Sequence, residues 1–144
     1  MNAIAPLQLS GLPASPGIAL GRAVVMQRAP ELATTHATGT PQEEDARLTA
    51  ALFQAALDLR MLRNQTRERV GAAKAEIFDV HLSFLSDPEL IGQARSLIAD
   101  AGLSASAALA EASQVFVTIL EGSGDDLLVS RATDLRDVTH RLQA

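Results

Sequence analysis

The sequence predicts a mainly α fold: an antiparallel bundle of four to five helices, preceded by a short β segment that belongs to an incomplete α/β body. Three observations carry this. Apolar residues from Leu48 onward recur at helical spacing, helix-start signals punctuate residues 40–144, and residues 7–26 alternate in short runs between glycines and prolines. Composition agrees. Hydrophobic residues make up 47% of the 144-residue chain but aromatics only 3%, namely Phe53, Phe78, Phe84 and Phe116. A core of Ala, Leu, Ile and Val suits close-packed helices better than a β-sandwich, which favours aromatic and β-branched residues.

Residues 1–30 form the β segment. Leu7-Gln8-Leu9 and Ile18-Ala19-Leu20 alternate, Ala23–Met26 is a short apolar run, and Gly11, Pro13, Pro16, Gly17 and Gly21 separate them. Two or three strands alone are marginal in water, so they require a larger sheet than this chain supplies. Residues 31–40 are small and polar without a period and read as a linker. The helical unit spans 41–144. Thr40-Pro41-Gln42-Glu43 combines a capping box with proline at the first helical position. Leu48, Leu52, Ala55, Leu59 and Leu62 then mark one face of a long helix that holds to about Val70 and breaks at Gly71. A second helix is expected over Ala73–Leu85, with Ile77, Val80, Leu82, Phe84 and Leu85 as its apolar face. Ser86-Asp87-Pro88-Glu89 starts a third, which stops at Gly102. Ser104 caps a fourth over Ala105–Leu120. Ser123, with Asp126 three residues on, starts the last, whose buried stripe is Leu128, Ala132, Leu135, Val138 and Leu142. Asp137 and Arg141 form an i,i+4 pair on its wet side. Short loops favour antiparallel neighbours.

Several function classes fall away. Without cysteine there is no disulfide, thiolate metal site or cysteine nucleophile. A net charge of −5 does not invite nucleic acid, whose phosphates require a basic footprint. Met1–Pro6 has no basic leader and no apolar run reaches the ~18 residues of a membrane span, so the expected compartment is the cytoplasm and no membrane partner is expected. Gly11–Gly17 matches neither a P-loop nor a dinucleotide fingerprint and reads as a turn. His36 lies in the linker, and His140 sits near a helix end where a cation is welcome. His81 borders the apolar stripe of its helix, either as a half-buried packing residue or as part of a contact surface. No His-x-x-x-His pair, carboxylate–histidine cluster or Gly-x-Ser-x-Gly elbow is present. Glu43-Glu44 and Asp125-Asp126 open helices, and capping accounts for them. From the residues alone, the chain has no active site and reads as a helical interaction domain.

Three blocks then carry a resemblance. Ser10–Gly21 (SGLPASPGIALG), Lys74–Leu90 (KAEIFDVHLSFLSDPEL) and Arg131–Val138 (RATDLRDV) resemble, in order, segments of enzyme I of the sugar phosphotransferase system, or of a multiphosphoryl transfer protein relative. The resemblance implies an α/β phosphohistidine domain with a helical domain inserted after its first strands. The helices would bind the phosphocarrier HPr, and the sheet partners of residues 7–26 would follow residue 144. The family's phosphorylated histidine stands in a Thr-Ser-His motif, and none of His36, His81 or His140 does. No catalytic residue and no cofactor are therefore expected in these residues, which alone would be inactive; by resemblance the full-length enzyme uses magnesium and phosphoenolpyruvate and is a homodimer.

The same resemblance implies a docking surface at Lys74, Glu76, Phe78, Asp79, His81, Phe84, Asp87, Glu89, Leu90 and Arg131. An apolar centre rimmed by carboxylates suits a basic carrier. Ala72-Ala73 stands where many relatives carry an acidic pair, which leaves three carriers open: HPr, a paralogue, or a fused HPr module. Two other readings stand beside docking. One is a regulatory or structural bundle derived from the same fold without phosphotransfer. The other is a ligand-binding four-helix bundle, which needs inward polar residues that the sequence pattern does not place.

Overall fold

A computed structural model describes residues 10–12, 16–18, 20–22 and 36–142. Five helices follow one another: α1 (Pro41–Arg69), α2 (Ala72–Leu85), α3 (Pro88–Ala101), α4 (Ala105–Glu121) and α5 (Asp126–Leu142). There is no strand among the described residues. The expected β segment lies mostly outside them; Ile18 and Leu20, two of its described members, are fully exposed.

Each boundary has a local cause. At the start of α1 the Thr40 hydroxyl accepts from Glu43 N–H at 3.3 Å, and the Glu43 carboxylate accepts from Thr40 N–H at 2.7 Å, which closes the expected capping box. The chain reverses at Gly71, whose φ of 109° excludes a side chain at little strain. Asp87 caps α3, accepting from the Glu89 and Leu90 N–H groups at 2.8 and 3.1 Å. Gly102 ends that helix in the left-handed conformation, and Leu103 N–H returns to Leu97 C=O at 3.3 Å. Ser104 caps α4. The cap of α5 differs from expectation. Asp125, not Ser123, accepts from the Leu127 and Leu128 N–H groups at 2.7 and 3.3 Å, because it immediately precedes the first helical residue, while Ser123 lies two residues earlier and accepts from Asp125 N–H.

Cross-helix bonds fix the directions. Early α1 meets late α3 through Asp45 and Arg95 at 2.7 Å, and late α1 meets α2 through Arg63 and Asp79. The α2–α3 pair thus runs back along α1 as one helical path broken at Ser86-Asp87-Pro88. Glu121 bonds Arg136 at 2.7 Å and the Ser113 and Thr139 hydroxyls lie 2.9 Å apart, so α4 and α5 are antiparallel. Part of the linker is fastened too. Ala37 N–H bonds Gly102 C=O at 2.9 Å, and His36 pairs with Leu103.

The core has two joined parts. The larger gathers Leu48, Leu90, Ala94, Ile98, Leu103, Leu109, Val117 and Leu135 around the alanines of α3, α4 and α5. The smaller gathers Ala55, Leu59, Leu85 and Val138, with Phe78 packed against it. Leu52, which packs on both, bridges them. Two expected stripes need correction at their ends. Leu128 is exposed in the first turn of α5, and Ile77 is exposed at the edge of the α2 stripe, whose buried positions are Ala75, His81 and Leu85. Asp137 and Arg141 form no ion pair with each other and both stay exposed. The bundle also carries inward polar groups that the sequence pattern did not place: Glu44, His81, Ser113 and Thr139 are buried. Glu44 is the most consequential. Its carboxylate accepts from Ala105 N–H at 2.9 Å, the first N–H of α4, while Arg47 holds its other oxygen at 2.6 Å.

Candidate partner-docking site

Helix α2 carries Lys74, Glu76, Phe78, Asp79, His81 and Phe84; the break and first turn of α3 carry Asp87, Glu89 and Leu90; α5 carries Arg131. The contact between α2 and α5 brings these elements together. Their side chains divide into three groups. Lys74, Glu76 and Glu89 are exposed, and no side-chain hydrogen bond or ion pair engages them. Phe78 and Phe84 are half-buried, each with one part in the core and one part open. The remaining five have structural duties.

Those duties are specific. Leu90 is buried in the larger core, at 4% exposure, and is closed to any partner in this conformation. Asp87 spends a carboxylate oxygen on the α3 N-cap. Asp79 turns toward α1 and pairs with Arg63. Arg131 donates to Asp134 at 3.0 Å, one turn along α5. His81 is buried in the α2–α5 seam, where its ring meets the Phe78 ring edge-on with centroids 6.1 Å apart. Burial pushes its imidazole below the ordinary value of 6.5; the Asp134 and Asp137 carboxylates oppose that, and Arg141 and Arg131 add to it. The open surface is therefore an apolar centre of Phe78 and Phe84, extended by exposed Ile77, beside Glu76 and Glu89.

Two groups that shape this surface were not singled out from the sequence. Asp134 holds Arg131, and Arg63 holds Asp79. The first was legible, since an Arg and an Asp three apart share a helix face. The second was not, because α1 and α2 had no fixed register before folding. Among the described residues no group of three or more His, Asp or Glu side chains is placed to hold a metal ion.

A family model described as "PEP-utilising enzyme, N-terminal" matches residues 10–131. The chain belongs to that family. Curated relatives agree. The phosphoenolpyruvate-protein phosphotransferase of Priestia megaterium is 38% identical over 138 residues, covering 95% of this chain and 24% of the relative. That of Geobacillus stearothermophilus is 36% identical over 144 residues, covering 99% and 25%. The chain thus spans about a quarter of the length of the curated relatives it matches. Among solved structures, an N-terminal domain of nitrogen Enzyme 1 superposes with a TM-score of 0.71 at 28% identity, over 78% of this chain and 47% of that one. A solution structure of Enzyme I gives 0.69 at 29%, over 77% and 47%. The five-helix bundle is therefore the helical part of an Enzyme I-type N-terminal region. No helix among the described residues of this family member is long and apolar enough to cross a membrane.

Proposed function

We propose that the helical unit is the carrier-docking part of a phosphoenolpyruvate–protein phosphotransferase. A phosphocarrier of the HPr type sits across α2, the α2–α3 break and the Arg131 turn of α5. The observation that supports this best is the pairing of half-open Phe78 and Phe84 with the unengaged carboxylates of Glu76 and Glu89. Aromatic side chains that are only partly used by the core supply an anchor, and unpaired carboxylates supply steering toward a basic partner. Lys74 and Arg131 bring positive charge to the same surface and set the carrier's orientation. His81 and Leu90 act from beneath it, as support. In this reading the whole cytoplasmic enzyme, a homodimer using magnesium, takes phosphate from phosphoenolpyruvate onto a histidine outside these residues and hands it to the carrier.

An NMR titration of the ¹⁵N-labelled chain with HPr-type carriers tests this. Amides around Phe78, Phe84, Glu89 and Arg131 should shift together. If no such carrier perturbs them, docking is wrong. Incubation of the chain with phosphoenolpyruvate and magnesium should yield no phosphohistidine by mass spectrometry, and its appearance on His36, His81 or His140 would overturn the division of labour.

A further inference from the structure

The α2–α5 seam encloses an imidazole with nothing to bond. His81 is 9% exposed, and neither ring nitrogen has a hydrogen-bond partner. A neutral imidazole carries one donor and one acceptor, and here both go unused. Protonation would add a second donor and a full charge in a pocket whose nearest ring neighbour is the edge of Phe78. A buried cation without a partner is not sustained, so the charged ring must find a carboxylate or leave.

The charged groups that act on it come from α5: Asp134, Asp137, Arg131 and Arg141, Asp134 the most strongly of the carboxylates. The α1 helix also packs on α2, and there Arg63 is held by Asp79. Asp134 is the sheltered carboxylate, its side chain 14% exposed, and Arg131 occupies one of its oxygens at 3.0 Å. Arg131 is 34% exposed. Two cations on one sheltered carboxylate repel each other, and only the guanidinium can retreat into water at low cost.

We propose that protonation of His81 switches the seam: the imidazolium takes the Asp134 carboxylate, and Arg131 is released toward solvent. The proton comes from water and no covalent bond changes. His81 is then a positioning residue that sets whether Arg131 is stapled to α5 or free at the surface. The consequence for carrier docking rests on the reading given above; the switch itself does not.

The test uses the wild-type chain. Long-range ¹H–¹⁵N spectra of the histidine rings, with His36 and His140 distinguished by assignment, are followed from about pH 8 to about pH 5, the range where imidazoles titrate. The His81 ring should titrate with a midpoint below 6.5, and the Arg131 Nε–H resonance should move with that same midpoint. In an Asp134→Asn variant the Arg131 response should vanish and the His81 midpoint should fall further. The proposal is overturned if Arg131 is unmoved while His81 titrates, or if the Arg131 response persists in the Asp134→Asn variant. A carrier titration at about pH 7.5, where His81 stays neutral, separates a failure of docking from a failure of the switch.

Discussion

Replacing Glu44 with alanine probes the tie that holds the first turn of α4 to α1. Glu44 is 1% exposed, and its carboxylate is the partner of Ala105 N–H at 2.9 Å. That N–H belongs to the first residue of α4 and has no acceptor within the helix. A hydrogen bond from a backbone N–H to a charged group contributes about 1.5–3 kcal/mol. Proximity of the carboxylate to the positive end of the helix adds roughly 0.3–1 kcal/mol. Two effects reduce the total. Burying the carboxylate has its own desolvation cost, which the variant avoids. The site also borders a cleft lined by Arg47, Leu48, Ser104 and Leu142, so water can reach the orphaned N–H. The loss of Arg47's partner matters little, since its side chain is 58% exposed and rehydrates. The net expectation is a loss of about 2 kcal/mol, or roughly 8–12 °C in midpoint for a unit of this size. Urea unfolding followed by helical circular dichroism measures it, and the slope should not change. Glu44→Gln keeps an acceptor oxygen but not the charge and should lose about half as much. A loss below about 0.5 kcal/mol for Glu44→Ala would refute the reasoning and return the capping of α4 to Ser104 alone.

Three further outcomes follow from the geometry. Leu135→Ala, at 1% exposure, should cost about 2–5 kcal/mol, whereas Leu128→Ala, at 39%, should cost under about 1; comparable urea midpoints would contradict the assigned face of α5. Thr139→Val should cost about 1–2 kcal/mol by stranding the buried Ser113 hydroxyl, and adding Ser113→Ala should recover part of it, which a double-mutant cycle reads directly. The Glu43 carboxyl is held below its ordinary 4.5 first by the Thr40 backbone N–H and then by the Thr40 hydroxyl, so its stabilisation is present above about pH 4.5 and fades as pH falls through the lowered value. The stability gap between wild type and Glu43→Gln should narrow over that descent; a constant gap would mean that the capping box carries no charge-dependent part.

Much of the fold was legible because its signals are local. The capping box at Thr40, the Asp-Pro start of α3 and the glycine at 102 act within a few residues of themselves, and each helix boundary they imply lies within a residue or two of the observed one. The face of α1 was legible for the same reason, as Leu48 and Leu59 share a stripe whatever packs on it. What the sequence hid depends on partners far along the chain. Glu44 reads as one more acid in a first turn, and only the arrival of Ala105, sixty-one residues on, makes it a buried cap. Leu128 continues the α5 stripe on paper yet lies where no helix covers it. Within the docking set, the residue types were readable but their duties were not. Asp79 and Arg131 are committed to ion pairs, Asp87 to a cap, and Leu90 and His81 to the interior, which leaves Phe78, Phe84, Lys74, Glu76 and Glu89 as the open part.

The cleft beside Glu44 is lined both by the first turns of α1 and by Leu142, the last residue of α5. The two ends of the helical unit therefore lie side by side, while the Gly122–Gly124 loop sits about 25 Å away, at the other end of the 17-residue α4. Such a unit behaves as a cassette. Splicing it into another chain asks that chain only to open a short gap, because closing a long loop whose ends already meet adds little entropy cost. The same geometry allows the order of the helices to be rewired, with a short bridge from Leu142 back to Thr40 and new termini at Ser123, without moving a core side chain.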